Sequence, residues 1–212
     1  MRRLASILLG ALLALPAFLP STAGAQQYTE IKPPLPVESQ GKIEVIEFFW
    51  YGCPHCYSLE PYIETWLKKL PPDVEFRRVP AVFNSRWGHD AAIFYTLEPH
   101  IEAWVKTLPP DVEFRRVPAV FSQRWGHDAA IYYTLEALNA WLEKYGVDPK
   151  KFDATARSFG VQSKVKRAIR LTSDYKIEGT PAMAVHGRYT VGASDAMLDT
   201  VNQLVATVRK KQ

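Results

Sequence analysis

The only two cysteines of the 212-residue chain, Cys53 and Cys56, flank Pro54-His55 directly after the apolar run Ile43 to Trp50. A Cys-x-x-Cys pair at the junction of a strand and a helix can close a small disulfide and exchange it with other thiols, so the first chemistry this chain offers is redox. A purely structural bridge is the competing use, but so short a loop removes almost no entropy from the unfolded chain and stabilises little. Zinc is another, and two cysteines with no histidine pair nearby leave the usual four-ligand site unfilled. At a helix start Cys53 meets unpaired backbone N–H groups and the positive end of the helix dipole, which stabilise a thiolate. Cys53 is therefore expected to be the exposed, attacked sulfur, and Cys56, one turn further in, the buried partner. The imidazole of His55 can donate to that thiolate or place positive charge beside it.

Two carboxylates accompany the pair. Glu47 interrupts the apolar run six residues before Cys53, and its burial would raise its pKa and let it exchange protons with Cys56. Glu60, on the first turns of the cysteine helix, is expected as a surface charge that mildly tunes the site. Trp87, His89, Trp125 and His127 recur through a sequence repeat and are expected in core or capping roles. His186 is expected to be solvated in a hairpin turn, and no metal site is expected.

The elements that must position these residues follow from pattern. Ile43 to Trp50 reads as a buried strand, being apolar at nearly every position. The helix starting near Pro54 carries proline in its first turn, where a missing N–H costs nothing, and should run to about Leu70 with a kink at Pro61. Pro71-Pro72-Asp73 stops it, and Val74 to Phe83 resumes as a strand. Further on, Ala137 to Tyr145 has helical spacing and stops at Gly146, and Asp148 caps a helix with Pro149 at its first position and Gly160 after its end. A third helix spans about Gln162 to Tyr175. Ala182 to Val185 and Tyr189 to Val191 flank His186-Gly187 as a hairpin, and Ser194 or Asp195 caps a last amphipathic helix reaching Lys210.

Pro61 to Glu98 reappears as Pro99 to Glu136, with 31 of 38 positions identical. Two copies are too few for a solenoid. The duplication sets two equal strands, Val74 to Phe83 and Val112 to Phe121, in competition for one slot in the sheet. The first copy should win, because only a short turn joins it to the cysteine helix. The margin is modest, since doubling a loop costs only about 0.6 kcal/mol. The displaced copy becomes an edge strand, a loop or an aggregation hazard.

Residues 1–25 read as a cleaved secretory signal: Met1-Arg2-Arg3, an apolar stretch from Leu4 to Pro20, then Ala23-Gly24-Ala25. The apolar stretch is shorter than the roughly 20 residues of a membrane span, and Pro16 and Pro20 interrupt it. The formal charge of +4 drops to about +2 without Arg2 and Arg3, which argues against nucleic acid as a partner. Lys164, Lys166, Arg167 and Arg170 fall at helical spacing and read as a solvated face. Export places the cysteines where disulfides persist, and a lone pair suits a catalytic dithiol better than a structural framework.

The order strand, CxxC helix, strand, helices, Gly179-Thr180-Pro181, hairpin and closing helix resembles a thioredoxin fold with an inserted helical domain. EFFWYGCPHCYSLEP and the later EGTPAMAVHGRYTVG closely resemble periplasmic thiol:disulfide interchange proteins of the DsbA type, over roughly residues 40–98 and 137–208. Pro54-His55 matches the dipeptide of those oxidants, whereas thioredoxins usually carry Gly-Pro and isomerases of the DsbC type Gly-Tyr. The departure is the second repeat copy, which stands where the family continues into further helices.

The resemblance implies a cis Pro181 facing Cys53, although trans is the statistical default. It also implies that Thr180 offers backbone groups to an extended substrate peptide and that His55 acts on the Cys53 thiolate. A strongly depressed cysteine pKa and a strongly oxidising pair are what this family is known for, and come with the resemblance rather than from spacing.

The expected molecule is an α/β protein with a thioredoxin-like fold and an inserted, atypical helical domain. Its segments are a signal (1–25), an extended leader (26–40), a thioredoxin-like part in two pieces (41–85 and 175–212), and a helical insertion (86–174) containing the duplicated segment 99–136. The expected function is a periplasmic oxidase, a monomer without cofactor beyond the Cys53–Cys56 disulfide. It would act on reduced, unfolded exported proteins, and the resemblance assigns its reoxidation to a quinone-linked membrane partner of the DsbB type. A reductase or isomerase is the alternative within redox chemistry, and a non-catalytic, peptide-binding chaperone-like module the alternative outside it.

Overall fold

A computed structural model describes residues 28–105, 135–144 and 147–211. The expected signal and the second strand copy, Val112 to Phe121, lie outside the described residues.

The central strand β2 (Ile43–Phe49) is buried at all seven positions. It leads into helix α1 (Pro54–Leu67), and the chain returns as β3 (Val74–Pro80) parallel to β2, in register from Ile43↔Val74 to Phe49↔Pro80. The first repeat copy thus supplies the strand beside β2. The turn before β3 is tight, with Val74 N donating to the Pro71 carbonyl at 3.0 Å. On the other side of β2 lies β4 (Ala182–Val185), antiparallel, followed by β5 (Tyr189–Gly192). The short strand β1 (Thr29–Glu30) closes the edge, giving the order β1-β5-β4-β2-β3.

Between the two halves of the sheet the chain forms α2 (Ser85–Val105), α3 (Leu135–Lys144), α4 (Pro149–Ala156) and α5 (Phe159–Asp174), and α6 (Met197–Arg209) closes the fold. Successive residues of β2 point to opposite faces. Ile46 and Phe48 pack with Val161, Val165 and Ala168 of α5 and with Ala91 and Ala92 of α2. Ile43 and Val45 pack with Ile63 of α1 and with Val201, Leu204 and Val205 of α6. Strand-helix-strand with a parallel pair, then a hairpin and helix, is the arrangement the sequence order implied. No described helix is long and apolar enough to cross a membrane.

Several boundaries differ from expectation for local reasons. Helix α1 runs unbroken through Pro61 but ends at Leu67. Strand β3 stops at Pro80, after which Ala81 N still donates to the Phe49 carbonyl at 2.8 Å. Gly160 does not follow the end of α4. It lies in the first turn of α5, which Ser158 caps by accepting from Val161 N. Neither Ser194 nor Asp195 is the N-cap of α6: that position is Ala196, with no side-chain bond, and Ser194 contributes only its backbone carbonyl to Met197 N at 3.1 Å. The leader is more than a surface strap, since beyond β1 Ile31 N donates to Arg188 O at 2.7 Å and Leu35 N to Gly187 O at 2.8 Å. Gly187 has φ +66°, and a Cβ there would stand 2.1 Å from the Leu35 carbonyl oxygen, so the hairpin needs glycine twice over.

Candidate active site

Cys53 is the N-cap of α1, and Pro54 takes the first helical position without forfeiting a hydrogen bond. The Cys56 backbone N–H points at Cys53 Sγ, 3.4 Å away. From the far end of the chain, the loop entering β4 brings Thr180 alongside: the Cys53 thiol donates to the Thr180 carbonyl at 3.2 Å. The Thr180-Pro181 peptide bond is cis, as the resemblance implied. Both cysteines are free thiols.

These surroundings separate the two sulfurs. Cys53 is lowered to about 5, first by the hydrogen bond from the Cys56 thiol, then by the Thr180 hydroxyl and the backbone N–H groups of Cys56 and His55, against a burial effect that opposes them. Cys56 is pushed up strongly, because its thiol keeps its proton to donate a hydrogen bond to Cys53, is buried and sits beside the Cys53 charge. The expectation of an exposed Cys53 needs correction: it is only 6% exposed, packed with Phe49, Tyr51 and Ile93, although Cys56 at 0% is deeper still. The His55 side chain is exposed, and its attributed effect on Cys53 comes through its backbone N–H.

Glu47 is fully buried, as expected, and burial raises it to about 7 despite the Arg78 guanidinium next to it. The Cys53 thiolate adds to the rise of Glu47, and the Glu47 charge in turn helps raise Cys56. Glu60 is not a surface charge. It is fully buried on the inner side of α1, where Arg78 Nη2 donates to its Oε1 at 2.7 Å while Arg78 Nε donates to Glu47 Oε2 at 2.9 Å. One guanidinium therefore bridges two carboxylates beneath the cysteine helix, and one oxygen of each, Glu47 Oε1 and Glu60 Oε2, has no hydrogen-bond partner. Sequence reading missed Arg78. The signal was present in strand register, since aligning IEVIEFF with VEFRRVP sets Glu47 beside Arg78.

The opposite sheet face repeats the motif, with Arg77 Nε donating to buried Glu44 at 3.0 Å. His186 is not simply solvated there. It is half-buried in the hairpin turn, accepts the Glu44 N–H at Nδ1 (3.3 Å), and is lowered by burial. Trp87 and His89 form no ligand set: Trp87 stacks on Trp50 at 4.2 Å and His89 is exposed. Trp125 and His127 lie outside the described residues. No group of three or more potential metal ligands occurs among the described residues.

A hollow of about 690 Å³ lies along the same loop, its lining including Gly179, Thr180 and Pro181 together with Tyr28, Val191 and Gly192. It leaves an open channel beside the Thr180 backbone.

Comparison with known proteins agrees with this geometry. The DSBA-like thioredoxin domain family matches residues 44–205. The thiol:disulfide interchange protein DsbA of Bordetella parapertussis is 39% identical over 208 residues, 94% of each chain. Its counterpart in Pseudomonas aeruginosa is 37% identical over 190 residues, 87% of this chain and 85% of the relative. Among solved structures, Pseudomonas aeruginosa DsbA superposes with a TM-score of 0.71 at 35% identity, covering 87% of this chain and 93% of that one. The oxidoreductase NmDsbA1 of Neisseria meningitidis gives 0.70 at 28%, covering 89% and 94%. With its cysteine pair at the head of α1 and a cis-proline loop against it, the chain belongs to the DsbA-like thioredoxin family of thiol:disulfide oxidoreductases.

Proposed function

We propose that this protein donates its Cys53–Cys56 disulfide to reduced, unfolded proteins exported to the periplasm. In the oxidised form a substrate thiolate attacks Cys53 Sγ, the Cys53–Cys56 bond breaks, and Cys56 leaves as a thiolate that takes up a proton. A second substrate thiolate then attacks the substrate sulfur of the mixed disulfide and expels Cys53 as a thiolate. Two electrons have passed from the substrate dithiol to the enzyme, and the substrate holds a new disulfide.

The observation that carries this reading is the lowering of Cys53 to about 5 by groups fixed around it. Whatever stabilises the thiolate stabilises the dithiol form, and so makes the disulfide form the better oxidant and Cys53 the better leaving group. The same observation weighs against a reductase, whose disulfide must be the preferred state.

Glu47, raised to about 7, is the group suited to hand a proton to the departing Cys56 thiolate. Glu60 and Arg78 hold it in place. An ionised Cys53 no longer donates to the Thr180 carbonyl, which then accepts an N–H of an extended substrate segment lying along Thr180-Pro181. A quinone-linked membrane protein of the DsbB type would accept the two electrons and restore the disulfide.

The deciding experiment is the equilibrium reduction potential of the cysteine pair against glutathione, with oxidative refolding of a reduced substrate as its companion. An oxidising potential and loss of refolding activity in Cys53→Ala are expected. A weakly oxidising potential would transfer the reading to a reductase or isomerase, and full activity in Cys53→Ala would leave only a chaperone-like module.

A further inference from the structure

Trp50 links the cysteine turn to helix α2. Its carbonyl accepts the Cys53 N–H at 3.0 Å, and its backbone helps favour the Cys56 thiolate. Its side chain points the other way. The indole stacks on Trp87 with centroids 4.2 Å apart and planes 10° from parallel, and its Nε1–H donates to Asp90 Oδ2 at 2.7 Å.

The ring has little freedom. Gly52 backs against it so closely that a Cβ at that position would stand 2.1 Å from the indole. Phe83 meets the far side of Trp87 edge-on, with centroids 4.8 Å apart. Asp90 itself is 7% exposed, followed by buried Ala91, Ala92 and Ile93, a place where helix packing alone would select an apolar residue. Its burial raises its pKa, so keeping a carboxylate there has a cost that the indole N–H partly offsets.

We propose that Asp90 is a positioning residue for thiol–disulfide exchange: by fixing the Trp50 indole it holds the Trp50 carbonyl against the Cys53 N–H, and so helps set the reactivity of the pair. The contact reaches the chemistry through one backbone. The Trp50 carbonyl fixes Cys53 as the helix cap, where the Cys56 and His55 N–H groups favour its thiolate. This inference rests on the exchange reading of the Cys53–Cys56 pair.

The test compares Asp90→Ala, Asp90→Asn and the parent as full-length chains. It follows the thiolate absorbance of Cys53 against pH, the rate of mixed-disulfide formation with a reduced dithiol peptide, and the unfolding midpoint. Asp90→Ala is expected to raise the Cys53 titration midpoint and to slow mixed-disulfide formation about tenfold. Asp90→Asn keeps an oxygen for the indole N–H and is expected to restore most of both. A lower unfolding midpoint with an unchanged Cys53 titration and rate means a structural role alone and overturns the proposal.

Should Asp90→Ala fail to fold, Trp50→Phe keeps an aromatic ring over Trp87 while deleting the donor along with the rest of the indole. It is expected to shift the Cys53 titration the same way, and a parent-like titration there overturns the proposal. An ordinary free-thiol titration in the parent itself removes the exchange reading and this inference together, whereas a low parent titration unmoved by any of the three variants removes this inference alone.

Discussion

The Cys53 thiol donates to the Thr180 backbone carbonyl at 3.2 Å, although 127 residues of chain separate the two. The Thr180 hydroxyl also helps lower the same thiol. Thr180→Val keeps the carbonyl and removes the hydroxyl. It is expected to raise the Cys53 titration by about one unit and to make the disulfide correspondingly less oxidising. Ultraviolet thiolate titration of the reduced chain measures the first effect and glutathione equilibration the second.

The lowering of Cys53 from 9.0 to about 5 also sets the pH dependence of the reduced protein. A depressed folded-state pKa adds stability that is fully present above the unfolded value and is lost as pH falls through the folded one. The reduced form is therefore expected to be more stable than the oxidised form at neutral pH, with the advantage shrinking as pH falls toward about 5. Paired denaturant titrations of the two redox forms across that window check it. A constant difference between them would falsify the low thiol pKa.

Glu47 carries the opposite sign. Its pKa is raised from 4.5 to about 7, mainly by burial, so its contribution is most favourable below 4.5 and declines as pH rises through 7. Glu47→Gln is expected to flatten that decline, leaving the variant relatively more stable above pH 7, while slowing the step in which Cys56 takes up a proton. Chemical unfolding on either side of the window, with stopped-flow reduction of the disulfide, separates the two effects.

Arg78 touches neither sulfur, yet it is the bridge between Glu47 and Glu60. Arg78→Leu leaves two buried carboxylates without their cation and is expected to destabilise the fold by about 3–5 kcal/mol. Arg78→Lys, which keeps the charge and loses the two-pronged geometry, should fall between. Denaturant midpoints of the three proteins give the order.

The site contacts described for Cys53, Cys56, Glu47, Glu60, Arg78, Trp50 and Thr180 come from residues outside 99–136. Joining Glu98 directly to Ala137 removes one repeat copy and is expected to leave the refolding rate within about twofold of the parent. Oxidative refolding assays on the shortened chain test this.

The cysteine pair, its strand and its helix could be read from sequence because they are contiguous and their signals are local: an apolar run, a CxxC, a proline at the first helical position. The cis-proline loop was legible only through family likeness, since nothing in Gly179-Thr180-Pro181 itself says which residue it faces. Glu60 was misread because a glutamate near the start of a helix looks solvent-facing until its partner is known, and that partner, Arg78, is on the next strand. Asp90 escaped because its stretch, RWGHDAAI, drew attention as a repeat rather than as a partner for Trp50. Each miss is a side chain whose meaning depends on a residue brought near by β-pairing or helix packing.

Glu38, in the leader, is paired with Arg77 of β3 and with Arg167 of α5. Arg77 also holds Glu44 of β2, which is only 2% exposed, whereas Glu38 and Arg167 are more than 40% exposed. Dissolved ions weaken the outer link far more than the inner one. The leader is thus tied to α5 by a clasp that loosens with ionic strength, while the clasp between β2 and β3 holds far better.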